Sequence, residues 1–182
     1  MVMLSSAYIT LRSWEGGNNT CYVTNTNRQR YEQSSSITET LGSLYKSQNN
    51  WGSYSEYQEM SVAGKPLYYV SLGASARGGS RNETRNFDCY SSVTAYAILD
   101  DGTEVTLGSC SQHSNHNVLS TSKTIIFTDK LTPEQMSRVV KVKGYFYGKS
   151  GYTYDEGHEG SSDGGKSGSL SVVAWYGSWG NE

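Results

Sequence analysis

Stretches in which apolar and polar residues alternate recur along most of the chain. Residues 7–14 place Ala7, Ile9 and Leu11 on one side of an extended strand, and residues 20–26 are predicted to form its returning partner. Further strands are predicted at 67–74, 93–99, 103–107, 123–129, 138–147 and 170–176. About eight to ten strands with little helix predict an all-β fold, either an antiparallel β-sandwich or a jelly roll.

The strongest local signal is the Asp-Gly pair at 101–102, which lies between two alternating strands. Asp-Gly is typical of a two-residue turn in a tight β-hairpin. With that turn, Ile98 pairs with Val105 and Tyr96 faces Leu107, so all four side chains share one face. The sequence therefore predicts that these four residues point into the core.

Two segments carry helical signals and predict one or two short helical turns. Residues 37–46 place apolar side chains at helical spacing, although Gly42 disfavours a helix there. The second begins with Thr132 as N-cap, Pro133 at the first helical position and Gln135 completing a capping box. It lasts about one turn because a strand follows, and by analogy with known sandwiches such a turn crosses between the two sheets.

Glycine is concentrated towards the C-terminus. Residues 148–169 contain seven glycines and predict a long flexible connection before the last strand. A length of 182 residues fits one domain. We therefore expect residues 1–182 to form a single β-sandwich domain with a Gly-rich connection at about 148–169.

Charge and hydropathy exclude several classes of partner. The formal net charge is -2, so no excess of Lys and Arg neutralises phosphates and we expect no nucleic-acid partner. No apolar run reaches membrane-spanning length. The N-terminus lacks the basic and apolar regions of a secretory signal. Either a signal was removed before numbering or the chain folds in the cytosol, and the initial Met favours the second interpretation.

The sequence gives little support for a metal site or a reactive thiol. Cys21, Cys89 and Cys110 are too few and odd in number for a disulfide framework, which favours three buried thiols over one disulfide with a remaining thiol. They have no Cys-x-x-Cys spacing, so nothing supports a zinc or redox site. His113 and His116 have no Cys or carboxylate beside them and are best explained by a polar turn. A group of oxygen and nitrogen ligands does occur within the Gly-rich connection: Asp155, Glu156, His158, Glu159 and Asp163. Its spacing matches no calcium or zinc motif, which favours an exposed acidic loop.

Catalytic motifs are missing from the sequence as well. It has no G-x-S-x-G nucleophile elbow and no phosphate-binding glycine loop. Paired carboxylates for glycoside cleavage depend on spatial pairing, which the sequence does not define. We therefore expect a protein that is not an enzyme, with no catalytic residue, no cofactor and no metal.

Tyrosine and tryptophan form three candidate patches. Residues 49–57 are aromatic and polar and predict a decorated loop or an edge strand. Within 138–147, alternation points Val142 and Phe146 inward and Tyr145 and Tyr147 outward. The alternative is that both faces of this strand are buried. The full candidate set for a ligand-binding or interface surface is Trp51, Tyr54, Tyr57, Tyr145, Tyr147, Trp175 and Trp179.

Two functions from different classes fit these observations. The favoured one is a non-enzymatic structural or assembly protein, such as a phage virion subunit of the capsid or tail, which contacts copies of itself or other subunits. The alternative is a carbohydrate-binding module or lectin that binds glycans through exposed Tyr and Trp. The first function implies that the protein is made in the cytoplasm and then becomes part of a virion or an extracellular assembly. The alternative is a soluble protein that stays in the cytoplasm.

Overall fold

A computed structural model describes residues 35–49, 52–77, 85–114, 118–154 and 165–179 of the chain. The described residues form eight strands: β1 (Ser35–Gln48), β2 (Gly52–Ser61), β3 (Leu67–Arg77), β4 (Arg85–Leu99), β5 (Glu104–Ser114), β6 (Val118–Ile126), β7 (Val139–Tyr154) and β8 (Gly165–Trp179). A 3-10 turn at Phe127–Asp129 and one short helix, α1 (Pro133–Arg138), lie between β6 and β7. The all-β prediction with one or two short helical turns is confirmed. The strands predicted at 7–14 and 20–26 lie outside the described residues.

The strands form two antiparallel four-stranded sheets. The first sheet has the order β1-β8-β3-β6, and the second sheet has the order β2-β7-β4-β5. In these orders β4 neighbours β5, β3 neighbours β6, β2 neighbours β7 and β1 neighbours β8. The chain is therefore a long antiparallel ribbon that turns back at the β4–β5 hairpin and divides between two sheets, which is the jelly-roll topology.

The described residues divide into two compact units. The larger unit is Thr40–Val173, and the smaller unit takes the described parts of 1–39 and 174–182. The surfaces considered below lie within the larger unit. A single domain over residues 1–182 stays a prediction.

The core of the larger unit is built from the inward positions of alternating strands. On β7, Val142 and Phe146 are fully buried, as the alternation predicts. On β4, the buried residues lie at odd positions and are apolar except for Ser91, among them Val93 and Ala97. Burying one large aliphatic or aromatic side chain stabilises the fold by about 1.5–3 kcal/mol, so this cluster supplies the main driving force.

The β4–β5 hairpin has a longer loop than the sequence predicts. The Leu99 N–H donates to the Thr103 carbonyl at 2.9 Å, so the loop contains the three residues 100–102. Gly102 ends the loop with a φ of 85°, the left-handed conformation that favours glycine. An Asp-Gly pair suits this three-residue turn as well as the two-residue turn.

The longer loop reverses which side chains of β4 face the core. Ala97, not Ile98, pairs with Val105, and Tyr96 pairs with Thr106. A shift of one residue moves every side chain of a strand to the other face. The prediction that Tyr96 and Ile98 face the core is therefore wrong, whereas Leu107 is buried as predicted.

Two further local predictions have different outcomes. Residues 37–46, predicted as a short helix, lie in strand β1. Gly42 weakens a helix, and pairing with β8 in the sheet supplies the backbone hydrogen bonds instead. The capping box is confirmed, because the Gln135 N–H donates to Thr132 Oγ1 at 3.2 Å and the Thr132 N–H donates to Gln135 Oε1 at 2.9 Å. As predicted, this segment joins a strand of the first sheet to a strand of the second.

Arg138 at the end of α1 fixes the tip of the β4–β5 hairpin. Its Nε donates to Asp100 Oδ1 at 2.8 Å, and its Nη2 lies 2.7 Å from Asp101 Oδ2. Asp101 also accepts the N–H of Thr103 at 2.9 Å. These bonds, the backbone N–H of Thr103 first, lower the pKa of Asp101 from 3.8 to about 2.

Acid is expected to weaken this tip. The folded pKa of Asp101 lies below its unfolded value, so its stabilising contribution is present above pH 3.8 and is lost as the pH falls to about 2. Asp101→Asn should therefore show a shallower fall in thermal midpoint than the wild type across this window. Thermal unfolding at a series of pH values checks it, with Asp129→Asn as a control for losing one exposed carboxylate. A constant difference between wild type and Asp101→Asn across the window would contradict the assignment.

Candidate binding surface

The outward face of the second sheet brings tyrosines from three strands together. β7 is an inner strand of this sheet, between β2 and β4, and its odd positions point outward. The strand register places Tyr57 beside Tyr145, Lys143 beside Tyr96, and Lys149 beside Tyr90. We use the name tyrosine face for this surface, whose tyrosines are Tyr57, Tyr90, Tyr96, Tyr145 and Tyr147.

A stacked pair lies at the centre of the tyrosine face. The rings of Tyr57 and Tyr145 are 4.7 Å apart between centroids and tilted by 35°. Tyr145 is oriented by a hydrogen bond of 2.9 Å between its hydroxyl and that of Ser55. Tyr57 remains 60% exposed. The pair therefore presents a preformed aromatic surface, in which Tyr57 is exposed and Tyr145 is half-buried.

Lys143 links the stacked pair to the neighbouring tyrosine on β4. Its ammonium lies 4.8 Å from the ring centroid of Tyr57 and 5.1 Å from that of Tyr96. Such cation–π contacts contribute about 0.5–1 kcal/mol each at exposed sites. Lys143 also forms an ion pair with Glu104, and that hydrogen bond is the main reason why its pKa is raised.

Charge around the stacked pair is balanced. Lys141 Nζ donates to Glu59 Oε2 at 3.0 Å, and Lys143 pairs with Glu104. These two ammonium groups and two carboxylates carry no net charge together, while the exposed Lys149 beside Tyr90 adds one positive charge on the same face. An aromatic surface with little net charge attracts partners through contact area and hydrogen bonds and not through long-range steering.

The remaining tyrosines enclose a patch of small hydroxyl side chains. Tyr147 contacts Tyr90 with ring centroids 6.0 Å apart. Between Tyr90 and Tyr96 on β4, the outward positions carry only Ser92 and Thr94. Their neighbours on β5 are Ser111 and Ser109. The result is a low hydroxyl-bearing area beside taller aromatic side chains.

The structure brings three of the seven candidate residues together. Tyr57, Tyr145 and Tyr147 lie on the tyrosine face, while Tyr54 occupies an inward position of β2 on the opposite side of the sheet. Trp51 lies outside the described residues. Trp175 is exposed on β8, in the smaller unit. Trp179 belongs to β8, but its side chain is not among those described.

Tyr54 packs inside the sandwich. It contacts the hydrophobic core and lies over Gly148, its partner on β7. Burial raises the pKa of its phenol, and the nearby Ser91 hydroxyl offsets part of that rise. The phenolic oxygen is buried without a hydrogen bond of regular geometry to another described residue. Its environment is that of a core side chain.

Tyr90 and Tyr96 belong to the tyrosine face but were not predicted for it. The signal that could have found them is the uniformly apolar odd positions of β4, which run from Val93 to Leu99. Those positions mark the inward side and so place the even-numbered tyrosines outward. The prediction of a two-residue Asp-Gly loop placed the even-numbered residues of β4 inward, and so it assigned Tyr96 to the core.

A second group of polar side chains is buried between the sheets. Lys166 is 2% exposed, and its Nζ donates to Ser150 Oγ at 2.9 Å. Burial lowers the pKa of this ammonium, and the nearby Cys89 offsets part of the effect. Ser91 Oγ donates to the carbonyl oxygen of Ser167 at 2.6 Å. These bonds satisfy polar groups in the interior and do not open onto the tyrosine face.

The thiol and metal candidates are only partly described. Cys89 is fully buried and Cys110 is half-buried, and burial raises the pKa of the Cys110 thiol. Cys21, His116 and the acidic group between Asp155 and Asp163 lie outside the described residues. Within the described ranges, no group of three or more His, Cys, Asp or Glu side chains could hold a metal ion. In the same ranges no helix has the length and apolar character needed to cross a bilayer.

Comparison with known proteins gives structural similarities only. No family model matches this sequence. No curated protein matches it either. A chain in the structure of infectious bursal disease virus Gx strain is 14% identical over 88% of this chain, with a TM-score of 0.40. This chain covers 39% of that viral chain.

Two other solved structures are similar over most of both chains. A family 11 carbohydrate-binding module from Clostridium thermocellum, in complex with a β-1,3-1,4-mixed-linked tetrasaccharide, is 9% identical over 75% of this chain and 94% of its own, with a TM-score of 0.30. A chain of mud crab tombus-like virus is 14% identical over 93% of this chain and 94% of its own, with a TM-score of 0.26. The identities and TM-scores are low, and none of these similarities supports a function for this chain.

Proposed function

We propose that this chain is a non-enzymatic structural subunit of a virion, such as a phage capsid or tail, that assembles through protein–protein interfaces. In this proposal the tyrosine face is one of the contact surfaces. The protein is synthesised in the cytoplasm and acts in the virion or another extracellular assembly. Its partners are copies of itself or other subunits of the particle.

The observation that carries the proposal is the stacked pair of Tyr57 and Tyr145, in which Tyr57 is exposed. Tyrosine is enriched at the energetic centres of protein interfaces because it buries a large area with few rotatable bonds. Here the pair is held by Lys143 and Ser55, so little conformational entropy is lost when a partner covers it. The balanced charges around it suit the uncharged centre of an interface.

Glycan binding is the second candidate, and the hydroxyl patch favours it. Ser92, Thr94, Ser109 and Ser111 offer donors and acceptors beside aromatic rings on which a sugar could stack. The balanced charges around the stacked pair suit a neutral saccharide. Both functions use the same surface, so one pair of variants can test both.

Tyr57→Ala should weaken assembly, whereas Tyr45→Ala should not. Each tyrosine is 60% exposed, but Tyr45 lies on β1 of the first sheet and is not one of the tyrosines of the tyrosine face. Its backbone N–H and C=O bond to the Gln58 side chain on β2, and truncation of the Tyr45 side chain leaves those backbone groups in place. Light scattering across a concentration series measures the association of the wild type and both variants. We expect Tyr57→Ala to raise the dissociation constant by about tenfold or more, the effect of truncating a tyrosine at the energetic centre of an interface.

Other outcomes separate the two candidate functions. Equal association of both variants, or a wild type that stays monomeric, would contradict assembly through the tyrosine face. A glycan array and titration with neutral oligosaccharides then test the second candidate. Binding that is lost in Tyr57→Ala and kept in Tyr45→Ala would support glycan recognition, and no binding would reject it.

A further inference from the structure

Strand β6 ends the first sheet and has a regular, unbroken geometry. It pairs with β3 along its whole length, from Val118 opposite Arg77 to Ile126 opposite Tyr69. No register shift interrupts these nine consecutive pairs. In the described strand order β6 is an edge strand, and none of the described strands pairs with the row of backbone N–H and C=O groups on its outer side. Such a row is a template for another β-strand.

β6 lacks the features with which proteins usually protect a sheet edge. It contains no proline, and its one charged residue is Lys123. The Lys123 ammonium donates to the carbonyl oxygen of Ser109 on β5, at 3.4 Å. It therefore does not place its charge along the outer backbone edge of β6. Three apolar side chains remain exposed on this strand, at 63% for Val118, 43% for Leu119 and 37% for Ile126. An edge of this kind favours pairing with another strand.

The sequence of β6 is complementary to itself in the antiparallel direction. A two-fold axis at Ser122 places the exposed Val118 of one copy opposite the exposed Ile126 of the other. On the same face, Ser120 then lies opposite Thr124, a pairing of two hydroxyl side chains. Cross-strand hydroxyl pairs of this kind stabilise the pairing of two strands, and no like charges are directly opposed.

Two-fold axes at the residues next to Ser122 give less favourable cross-strand pairs. An axis at Lys123 would place the two Lys123 side chains directly opposite each other, which is unfavourable. An axis at Thr121 would place Val118 opposite Thr124 and Leu119 opposite Lys123, so exposed apolar residues would face polar ones. The composition of β6 therefore favours the axis at Ser122.

We propose that two copies of this chain pair through β6 in antiparallel register about Ser122, joining their first sheets into one continuous sheet. Each copy contributes four strands to this sheet. The partner is a second copy because the strand is complementary to itself in length, polarity and charge. The inference deepens the proposed assembly role but uses a surface other than the tyrosine face.

Cysteine cross-linking tests the register directly. In Ser122→Cys the two thiols face each other at the axis, where opposed Cα atoms are about 4.5–5.5 Å apart. That separation is within the range of about 4.4–6.8 Å that a disulfide spans. In the control Thr124→Cys the two thiols are offset by four residues, about 13 Å along the strands. We expect oxidised Ser122→Cys to form a covalent dimer, and Thr124→Cys and the wild type to remain at background.

Paired charges test the same register without a covalent bond. In Ser120→Lys with Thr124→Lys, each new lysine of one copy opposes a new lysine of the other. In Ser120→Glu with Thr124→Lys, each opposed pair is an ion pair. Both variants change the same two exposed positions, which are too far apart within one copy to interact directly. The dimer dissociation constant of the lysine–lysine variant should exceed that of the glutamate–lysine variant by roughly tenfold.

The outcomes are distinct for the two proposals. Circular dichroism first establishes that each variant folds. Equal cross-linking through residues 122 and 124, or equal dissociation constants for the two charge variants, would overturn the inference. A wild type that stays monomeric and a Ser122→Cys variant that does not cross-link would also overturn it, leaving an extended segment of another protein as the occupant of this edge. Tyr57→Ala does not alter β6, so loss of function at the tyrosine face leaves the Ser122→Cys result unchanged.

Discussion

Replacing Phe146 by alanine is expected to lower the free energy of unfolding by about 3–5 kcal/mol. Phe146 is fully buried at an inward position of β7. Two glycines make room for its ring, because a Cβ at Gly144 would lie 2.8 Å from Phe146 Cε2 and a Cβ at Gly168 would lie 2.9 Å from Phe146 Cδ1. Glycines have no side chain that could move into the space left by the ring. The cavity should therefore stay largely open, which puts the loss at the upper end of the usual range.

Tyr147→Ala is the matched control for this substitution. Tyr147 is the next residue on β7 but points outward and is half-buried. Its truncation should lower the free energy of unfolding by about 1 kcal/mol. Urea denaturation of the wild type and both variants measures the two values. Similar losses for both would contradict the inward position of Phe146 and the sidedness of the whole strand.

Gly148→Ala should destabilise the protein by about 1–3 kcal/mol because the new methyl group collides with a tyrosine. A Cβ at Gly148 would lie 2.5 Å from Tyr54 Cζ and 2.8 Å from its hydroxyl oxygen. The ring cannot move away freely, since it packs against the core on an inward position of β2. In a β-strand without this contact, alanine is better than glycine by about 0.5–1 kcal/mol.

A double-mutant cycle isolates the collision. In a Tyr54→Ala background, Gly148→Ala should be neutral or stabilising, which gives a coupling free energy of about 1–3 kcal/mol between the two positions. Gly165→Ala serves as a control, because its Cβ would meet its nearest atom, Arg77 Cβ, at an ordinary 3.5 Å. Free energies of unfolding from urea denaturation complete the cycle. Strict additivity of the two substitutions would show that Tyr54 does not cover Gly148.

The tyrosine face shows which outward side chains could be predicted from the sequence. Tyr145 and Tyr147 could be placed outward because β7 alternates cleanly between apolar and polar positions. Tyr54 and Tyr57 could not be assigned to sides, because β2 carries aromatic and polar residues at both even and odd positions. Pairing with β7 decides their sides: Tyr54 lies over Gly148, and Tyr57 lies beside Tyr145.

The β4–β5 hairpin shows a second limit of prediction from sequence, which concerns the length of its loop. The sequence located the turn correctly, but Asp-Gly fits both two-residue and three-residue loops. The choice depends on which face of β4 fills the core. Burial of the apolar odd positions of β4, from Val93 to Leu99, outweighs any difference between the turns. The same burial turns Tyr96 to the surface.

The sequence by itself determined the all-β class, the capped start of α1 and the two sides of β7. Each of these depends on backbone geometry within a few residues, where side-chain direction alternates and a cap bonds to its own first turn. Tertiary structure alone decided that residues 37–46 form a strand, that Tyr96 faces outward and that five tyrosines share one surface. Those outcomes depend on which strands become neighbours. Strand order is set by burial and pairing between residues far apart in the chain, which no local pattern encodes.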